Sequence, residues 1–283
     1  MVSRWLVRSL FATPLAAVGT GVVLGYLGIA LAAPWLMPHD PLAQDLSSVL
    51  VPPGGPHPFG TDPLGRDLLS RIIAGTRVDL TITVVGSSLA AAIAVPAAIT
   101  AAYVRGTVDR AVSAVADSAL TFPTLLVAVI LVNFLGNSMG TVIGAIAVTA
   151  TPALLRVVRG AALQIATAEY VNAARATGAG PVRIMYRHLF PNIVGQAAVY
   201  TTLLASQAVL TVTALGFLGL GVQPPTPEWG AMLARSRTYL STAPFVMLFP
   251  GLAIGGLVLG LNLLGDALQR AVDPQGSLRR AAF

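Results

Sequence analysis

The sequence predicts an all-α membrane protein with six transmembrane helices and both termini cytoplasmic. Three observations lead there. Of 283 residues, 55% are hydrophobic and only 10% charged, and the mean hydropathy is +0.78. A soluble domain carries about 25% charged residues, so this chain cannot cover a water-facing surface, and the same shortage of charge rules out intrinsic disorder. Six stretches have roughly the 20 apolar residues needed to cross a hydrocarbon core of about 30 Å. The 17 basic residues are all Arg, and with a cytoplasmic N-terminus 12 fall inside against 5 outside, the bias expected of cytoplasmic loops.

The spans are expected at 10–33, 80–104, 111–135, 139–155, 193–215 and 245–264. Helix is the default in lipid because every backbone polar group must be satisfied internally. The third and fourth spans are separated only by Gly136-Asn137-Ser138 and so form a hairpin. Arg4 and Arg8 precede the first span and Ala30, Ala32 and Ala33 end it, as in a signal peptide. Its apolar stretch of about 24 residues exceeds a signal core, so it is expected as a retained anchor.

Composition also excludes chemistries. With no Cys there are no disulfides, thiolate metal sites or thiol nucleophiles. With no Lys there is no phosphate-loop lysine, so the chain is not expected to hydrolyse ATP alone. The three histidines, His39, His57 and His188, contain no pair at ligand spacing, which argues against a zinc or nickel centre. The basic excess lies beside apolar spans, a pattern of membrane orientation rather than nucleic-acid binding.

Residues 1–79 are expected to hold the first span and an external loop with a surface helix, and residues 80–283 a core of five spans with a cytoplasmic loop at 156–192. Pro and Gly crowd 38–56. Beyond them, Leu68, Leu69, Ile72 and Ile73 share a helical face ringed by Arg66, Asp67, Ser70 and Arg71, the pattern of a short helix at the membrane surface or an amphipathic lead-in to the second span. In the cytoplasmic loop, 169–177 has helical character and stops at Gly178. Pro181 suits the first turn of a second helix at 182–189, and Pro191 is expected to end it. Tyr170, Ala173, Ala174 and Thr177 share one small, flat face, with Glu169, Arg175, Arg183 and Arg187 around it. This reads either as a helix–turn–helix that enters a groove on a soluble partner or as a connecting loop. The proline-rich stretch 223–227 reads either as a rigid external turn or as a cap on the pathway that touches an external partner, and Trp229 as an interface residue.

Three motifs together resemble the inner-membrane permeases of ATP-binding-cassette (ABC) importers, in the dipeptide/oligopeptide/nickel subfamily. Phe59-Gly60-Thr61-Asp62 with Gly65-Arg66-Asp67, Ser70-Arg71 and Gly75-Thr76-Arg77 is similar to the subfamily's external signature. Glu169-Tyr170-Val171, Ala173-Ala174-Arg175, Gly178, His188 and Pro191-Asn192 are similar to its coupling loop. Phe217-Leu218-Gly219-Leu220-Gly221, Pro227-Glu228-Trp229-Gly230, Asn262-Leu263-Leu264-Gly265-Asp266 and Asp273-Pro274 are similar to its C-terminal third. Aligned on Gly178, the family's Glu-Ala-Ala falls on Asn172-Ala173-Ala174; the nearest acid is Glu169, about one turn back.

The resemblance implies a type I ABC importer permease fold and a non-catalytic subunit forming half of a pathway for di- or oligopeptides. It implies a homologous second permease, two ATP-binding-cassette ATPases that carry the ATP and Mg, and an extracytoplasmic substrate-binding protein. It implies no cofactor bound by this chain. ATPase coupling is expected at Glu169, Tyr170, Asn172, Ala173, Ala174, Arg175, Thr177, Gly178, Arg183 and Arg187. Polar groups in or beside spans, namely Asp117, Asn133, Gln207 and Asn262, with Gln196 and Asp266, either face the pathway or bond between helices. A stand-alone ion-coupled transporter or channel is the alternative, although the chain offers it few buried ionisable groups.

Overall fold

The computed structural model describes residues 13–272, and its regular elements among them are helices, with 37–67 forming a loop. Arg4, Arg8, the first residues of the expected first span, Asp273-Pro274, Arg279 and Arg280 lie outside the described residues. The helices are α1 (Pro14–Leu36), α2 (Leu68–Val104), α3 (Gly106–Leu120), α4 (Thr124–Leu135), α5 (Met139–Ala166), α6 (Glu169–Ala176), α7 (Pro181–Ile184), α8 (Phe190–Phe217), α9 (Trp229–Ser236) and α10 (Phe245–Val272). A π-helical turn, Met185–Leu189, joins α7 to α8.

Five helices are long and apolar enough to span a membrane: α1, α2, α5, the continuous Pro181–Phe217 rod and α10. The pair α3–α4 makes a sixth span if taken together, but it is bent by 88°. One straight helix was expected over 111–135. The break falls where Pro123 caps α4: proline lacks the N–H that would continue the ladder and pushes the preceding residue out of helical geometry. The expected hairpin follows, turning at Gly136 before α5.

Other boundaries differ from expectation: α5 runs on to Ala166 and α10 to Val272, past the expected ends at 155 and 264. Of the readings of 68–73, the lead-in to the second span holds: the segment is the start of α2, which runs 37 residues, about 55 Å at 1.5 Å per residue. Its charged fringe is buried with its apolar face, since Arg66, Asp67, Ser70 and Arg71 are all inside. Pro191 does not end the helix before the fifth span. It lies in the first turn of α8, where its missing N–H is tolerated. The preceding turn widens so that the Phe190 N–H reaches the Met185 carbonyl, a π-bulge, and the Asn192 side-chain amide donates to the His188 carbonyl at 2.6 Å.

Helices α1 and α10 run antiparallel at close range. A Cβ on Gly19 would lie 2.4 Å from the Leu263 Cβ, and one on Gly260 would lie 2.6 Å from a Val22 methyl. Small residues permit such approach where lipid supplies no hydrophobic drive between helices. The Tyr26 hydroxyl donates to the Ala253 carbonyl across the same seam, at 2.7 Å. Three apolar clusters fill the bundle. At the end carrying α6, Ala94, Ala98 and Ala102 pack on Leu154, Val158 and Ala162. At the opposite end Leu68, Ile72 and Leu257 surround Trp229, and between them Ile82, Val132 and Ile146 meet Leu215. Leu31, Phe134, Leu252 and Leu259 are exposed, as a lipid-facing surface requires.

Candidate coupling site and the polar cluster at the opposite end

The segment 169–189 folds as the expected helix–turn–helix. Helix α6 ends in a Schellman motif: the Ala179 N–H reaches the Ala174 carbonyl at 3.0 Å and the Gly178 N–H reaches the Arg175 carbonyl at 3.0 Å. That motif needs a left-handed residue, and Gly178 has φ +83°. Three side chains, Val171, Ile184 and Leu189, are fully buried against α2 and α5 and anchor the unit. The rest faces outward: Glu169, Tyr170, Asn172, Ala173, Arg175, Thr177, Gly178, Arg183 and Arg187 are exposed, and Ala174 is half-buried. Val182 and Tyr186, which sequence reasoning did not single out, are 74% and 75% exposed, far more than Tyr170 at 46%. Tyr186 stacks parallel on Phe190 with ring centroids 6.1 Å apart.

Two of the expected residues also brace the unit from within. The Arg175 guanidinium lies 5.0 Å from the centre of the Tyr103 ring at the end of α2, a cation–π contact. Tyr170 approaches His188 at 6.3 Å. The loop is therefore a rigid protrusion with an apolar root and an outward face of Ala, Val, Tyr and Arg.

The opposite end holds a buried ionic cluster. Asp62 receives Arg66 at 2.6 Å and Arg71 at 3.4 Å, and its other oxygen accepts the Leu64 and Arg66 N–H groups. Glu228 is fully buried and caps α9, accepting the Gly230 and Ala231 N–H groups at 2.6 and 2.8 Å. Burial pushes its carboxyl above the ordinary 4.5. It faces the Asp79 carboxyl on α2, with which it interacts electrostatically. Trp229 is buried in the protein core rather than at the membrane interface, because its indole N–H finds the Ile72 carbonyl at 3.2 Å.

The pathway candidates are not brought together. Asp117 is exposed and 3.8 Å from Arg156; Asn133, Gln207 and Asp266 are exposed and Gln196 is half-buried. Asn262 bonds between helices, its Oδ1 accepting the Ser206 hydroxyl at 3.0 Å. Spacing along the chain argued against a metal set, but the fold gathers His39, His57 and Asp67 with ligand atoms within 4.8 Å of one another.

Residues 94–276 match the family of binding-protein-dependent transport system inner membrane components. Residues 3–53 match the N-terminal transmembrane domain of oligopeptide transport permease C. The chain belongs to this permease family. It is 42% identical over 262 residues to the di/tripeptide transport system permease protein DppC of Pseudomonas aeruginosa, covering 89% of this chain and 85% of the relative. It is 38% identical to the glutathione transport system permease protein GsiD of Pectobacterium atrosepticum, covering 92% and 87%. It is 37% identical to the dipeptide transport system permease protein DppC of Alkalihalophilus pseudofirmus, covering 97% and 91%. Its fold matches a chain of the MetNI methionine ABC transporter in an inward-facing conformation, with TM-score 0.60 and 24% identity over 72% of this chain and 96% of that one.

The permease is thus an inner-membrane subunit of an ABC importer, a class that works with ATPase and substrate-binding partners, and not a stand-alone ion-coupled transporter. Its buried carboxyls were missed by sequence reasoning because Asp79 and Glu228 stand far apart in the chain. The one local signal was an acid directly before Trp229-Gly230, the position of a helix N-cap.

Proposed function

We infer that this chain is the second permease of a heteromeric peptide importer, paired with a homologous permease, two ATPase subunits that carry ATP and Mg, and an external binding protein. Both termini face the cytoplasm, in keeping with the arginine bias. The cargo class is di- or oligopeptide: the relatives at 42%, 38% and 37% identity carry di/tripeptide, glutathione and dipeptide names.

The observation that carries this reading is the anchored protrusion. Val171, Ile184 and Leu189 fix it in the bundle, while Tyr170, Ala173, Val182 and Tyr186 are left without cover. Exposed apolar groups on a rigid element at a bundle end are what a partner groove takes. In this reading Ala173, Ala174, Thr177 and Gly178 allow close approach, Glu169 and Asn172 offer polar contacts, and Arg183 and Arg187 rim the joint. Closure of the ATPase pair pushes the protrusion, and the rod Pro181–Phe217 carries the push along the bundle. Asp117, Asn133 and Gln207 are exposed on the lone chain and so remain free to face a pathway shared with the second permease. Asn262 contributes instead to helix packing.

Co-expression with the ATPases tests the reading. Ala173 is exposed on α6, so Ala173→Trp is expected to insert normally yet lose ATPase co-purification, whereas a bulky residue at Gly178 would also strain the left-handed cap. The lone chain is expected to show neither ATPase activity nor uptake in vesicles. Retained co-purification, or uptake by the lone chain, refutes the reading.

A further inference from the structure

We propose that His39, His57 and Asp67 form a divalent metal site that clasps the 37–67 loop to the start of α2. The His57 Nδ1 lies 2.9 Å from the Asp67 Oδ1, and the His39 Nδ1 lies 3.7 Å from the same oxygen. The two imidazole rings are 4.8 Å apart and tilted by 37°. Ligands held about 2.0–2.1 Å from a tetrahedral zinc stand roughly 3.3 Å from one another. The two separations to the shared Asp67 oxygen bracket that value, and all three ligand atoms lie within 4.8 Å of one another, so an ion enters once the imidazoles turn toward a common centre.

The surroundings hold the ligands in place. The other oxygen of Asp67 is committed to helix capping, accepting the Ser70 N–H at 2.8 Å and the Ser70 hydroxyl at 2.7 Å. The Ser70 oxygen in turn accepts the His39 N–H at 3.1 Å. One hydroxyl therefore fixes both the carboxylate and the backbone of a histidine from a different segment, the supporting shell a metal site requires. The nearby Arg66 and Arg71 guanidiniums are turned onto Asp62, leaving the free Asp67 oxygen to the imidazoles. The Asp67 side chain is 1% exposed, that of His57 17% and that of His39 40%. The site thus has a dry floor and an open mouth, with room for water on the ion. Two imidazole nitrogens and one carboxylate oxygen suit zinc, nickel or cobalt better than calcium or magnesium, which prefer oxygen alone.

The test uses the purified full chain with a histidine-free affinity tag, titrated with ZnCl2 and with NiCl2 by calorimetry. One saturable ion per chain is expected, with a rise in thermal unfolding temperature on saturation. Half-exposed His39 is replaceable without disturbing the fold, and His39→Ala should weaken binding by more than about 100-fold while abolishing the metal-dependent rise. His39→Cys should restore zinc binding, which a merely structural histidine would not explain. The proposal fails if the wild-type chain binds no saturable ion, or if His39→Ala binds with unchanged affinity and stoichiometry.

Discussion

The main-chain N–H of Trp229 donates to the Asp79 carboxylate at 3.2 Å, across 150 residues of sequence. The Trp229 indole donates to the Ile72 carbonyl, about two turns from Asp79 on the same helix, and its ring meets Tyr26 edge-on at 6.0 Å. One side chain therefore ties α9 to α2 and α1. Trp229→Ala should lower stability by about 3–5 kcal/mol through the cavity it leaves. Trp229→Phe should cost only about 1 kcal/mol for the lost hydrogen bond. Thermal unfolding in detergent distinguishes the two, and equal losses would place the weight on the hydrogen bond instead of packing.

Glu228 is enclosed by glycines that nothing larger can replace. A Cβ on Gly216 would sit 2.0 Å from a Glu228 carboxylate oxygen, and one on Gly230 would sit 2.2 Å from the Thr213 carbonyl. Gly216→Ala should therefore prevent correct assembly of this end, whereas Gly25→Ala, whose Cβ meets nothing within 4 Å, should be silent. Size-exclusion profiles of the two variants provide the comparison.

The raised pKa of Glu228 carries a pH dependence. The folded state holds this proton more tightly than the unfolded chain. Its contribution is complete below the ordinary value of 4.5 and is lost as pH climbs through the folded value. Unfolding temperature should fall as pH rises from about 4.5 through the folded value and then level off, and Glu228→Gln should flatten that fall. An unchanged slope in the variant would assign the effect to other groups.

Asp62 neutralises two buried arginines. Its removal in Asp62→Ala leaves Arg66 and Arg71 inside the protein without a counter-charge, at a loss of about 3–5 kcal/mol. Chemical denaturation should show this loss, and the double variant Asp62→Ala/Arg71→Ala should recover part of it.

At the other end, Val182 and Tyr186 are the most exposed apolar side chains of the 169–189 segment. Val182→Asp and Tyr186→Asp should leave expression and unfolding temperature unchanged while reducing ATPase co-purification. Loss of stability instead would mean that the tip packs within this chain.

Much of the architecture was legible because lipid imposes simple rules. Long apolar stretches must become helices, and Pro and Gly punctuate them, so α5 and α10 begin where the sequence puts them and the 169–189 protrusion folds as expected. The failures have physical reasons. Pro123 broke a span because apolarity measures length, not straightness. Pro191 ended nothing because a widened turn accommodated it. Arg66, Asp67 and Arg71 read as a wet fringe, since charge in a linear sequence gives no sign of its partner.

Taken alone, the sequence determined the membrane environment, the absence of thiol and lysine chemistry, the α6 cap at Gly178 and the family motifs. Each depends on composition or on neighbours within one helical turn. Tertiary structure alone decided that Asp79 meets Glu228, that Trp229 turns inward, and that His39 and His57 converge on Asp67. Those relations join residues from separate segments, and only the packing of helices, which buries such groups and forces them to find partners, brings them within bonding distance.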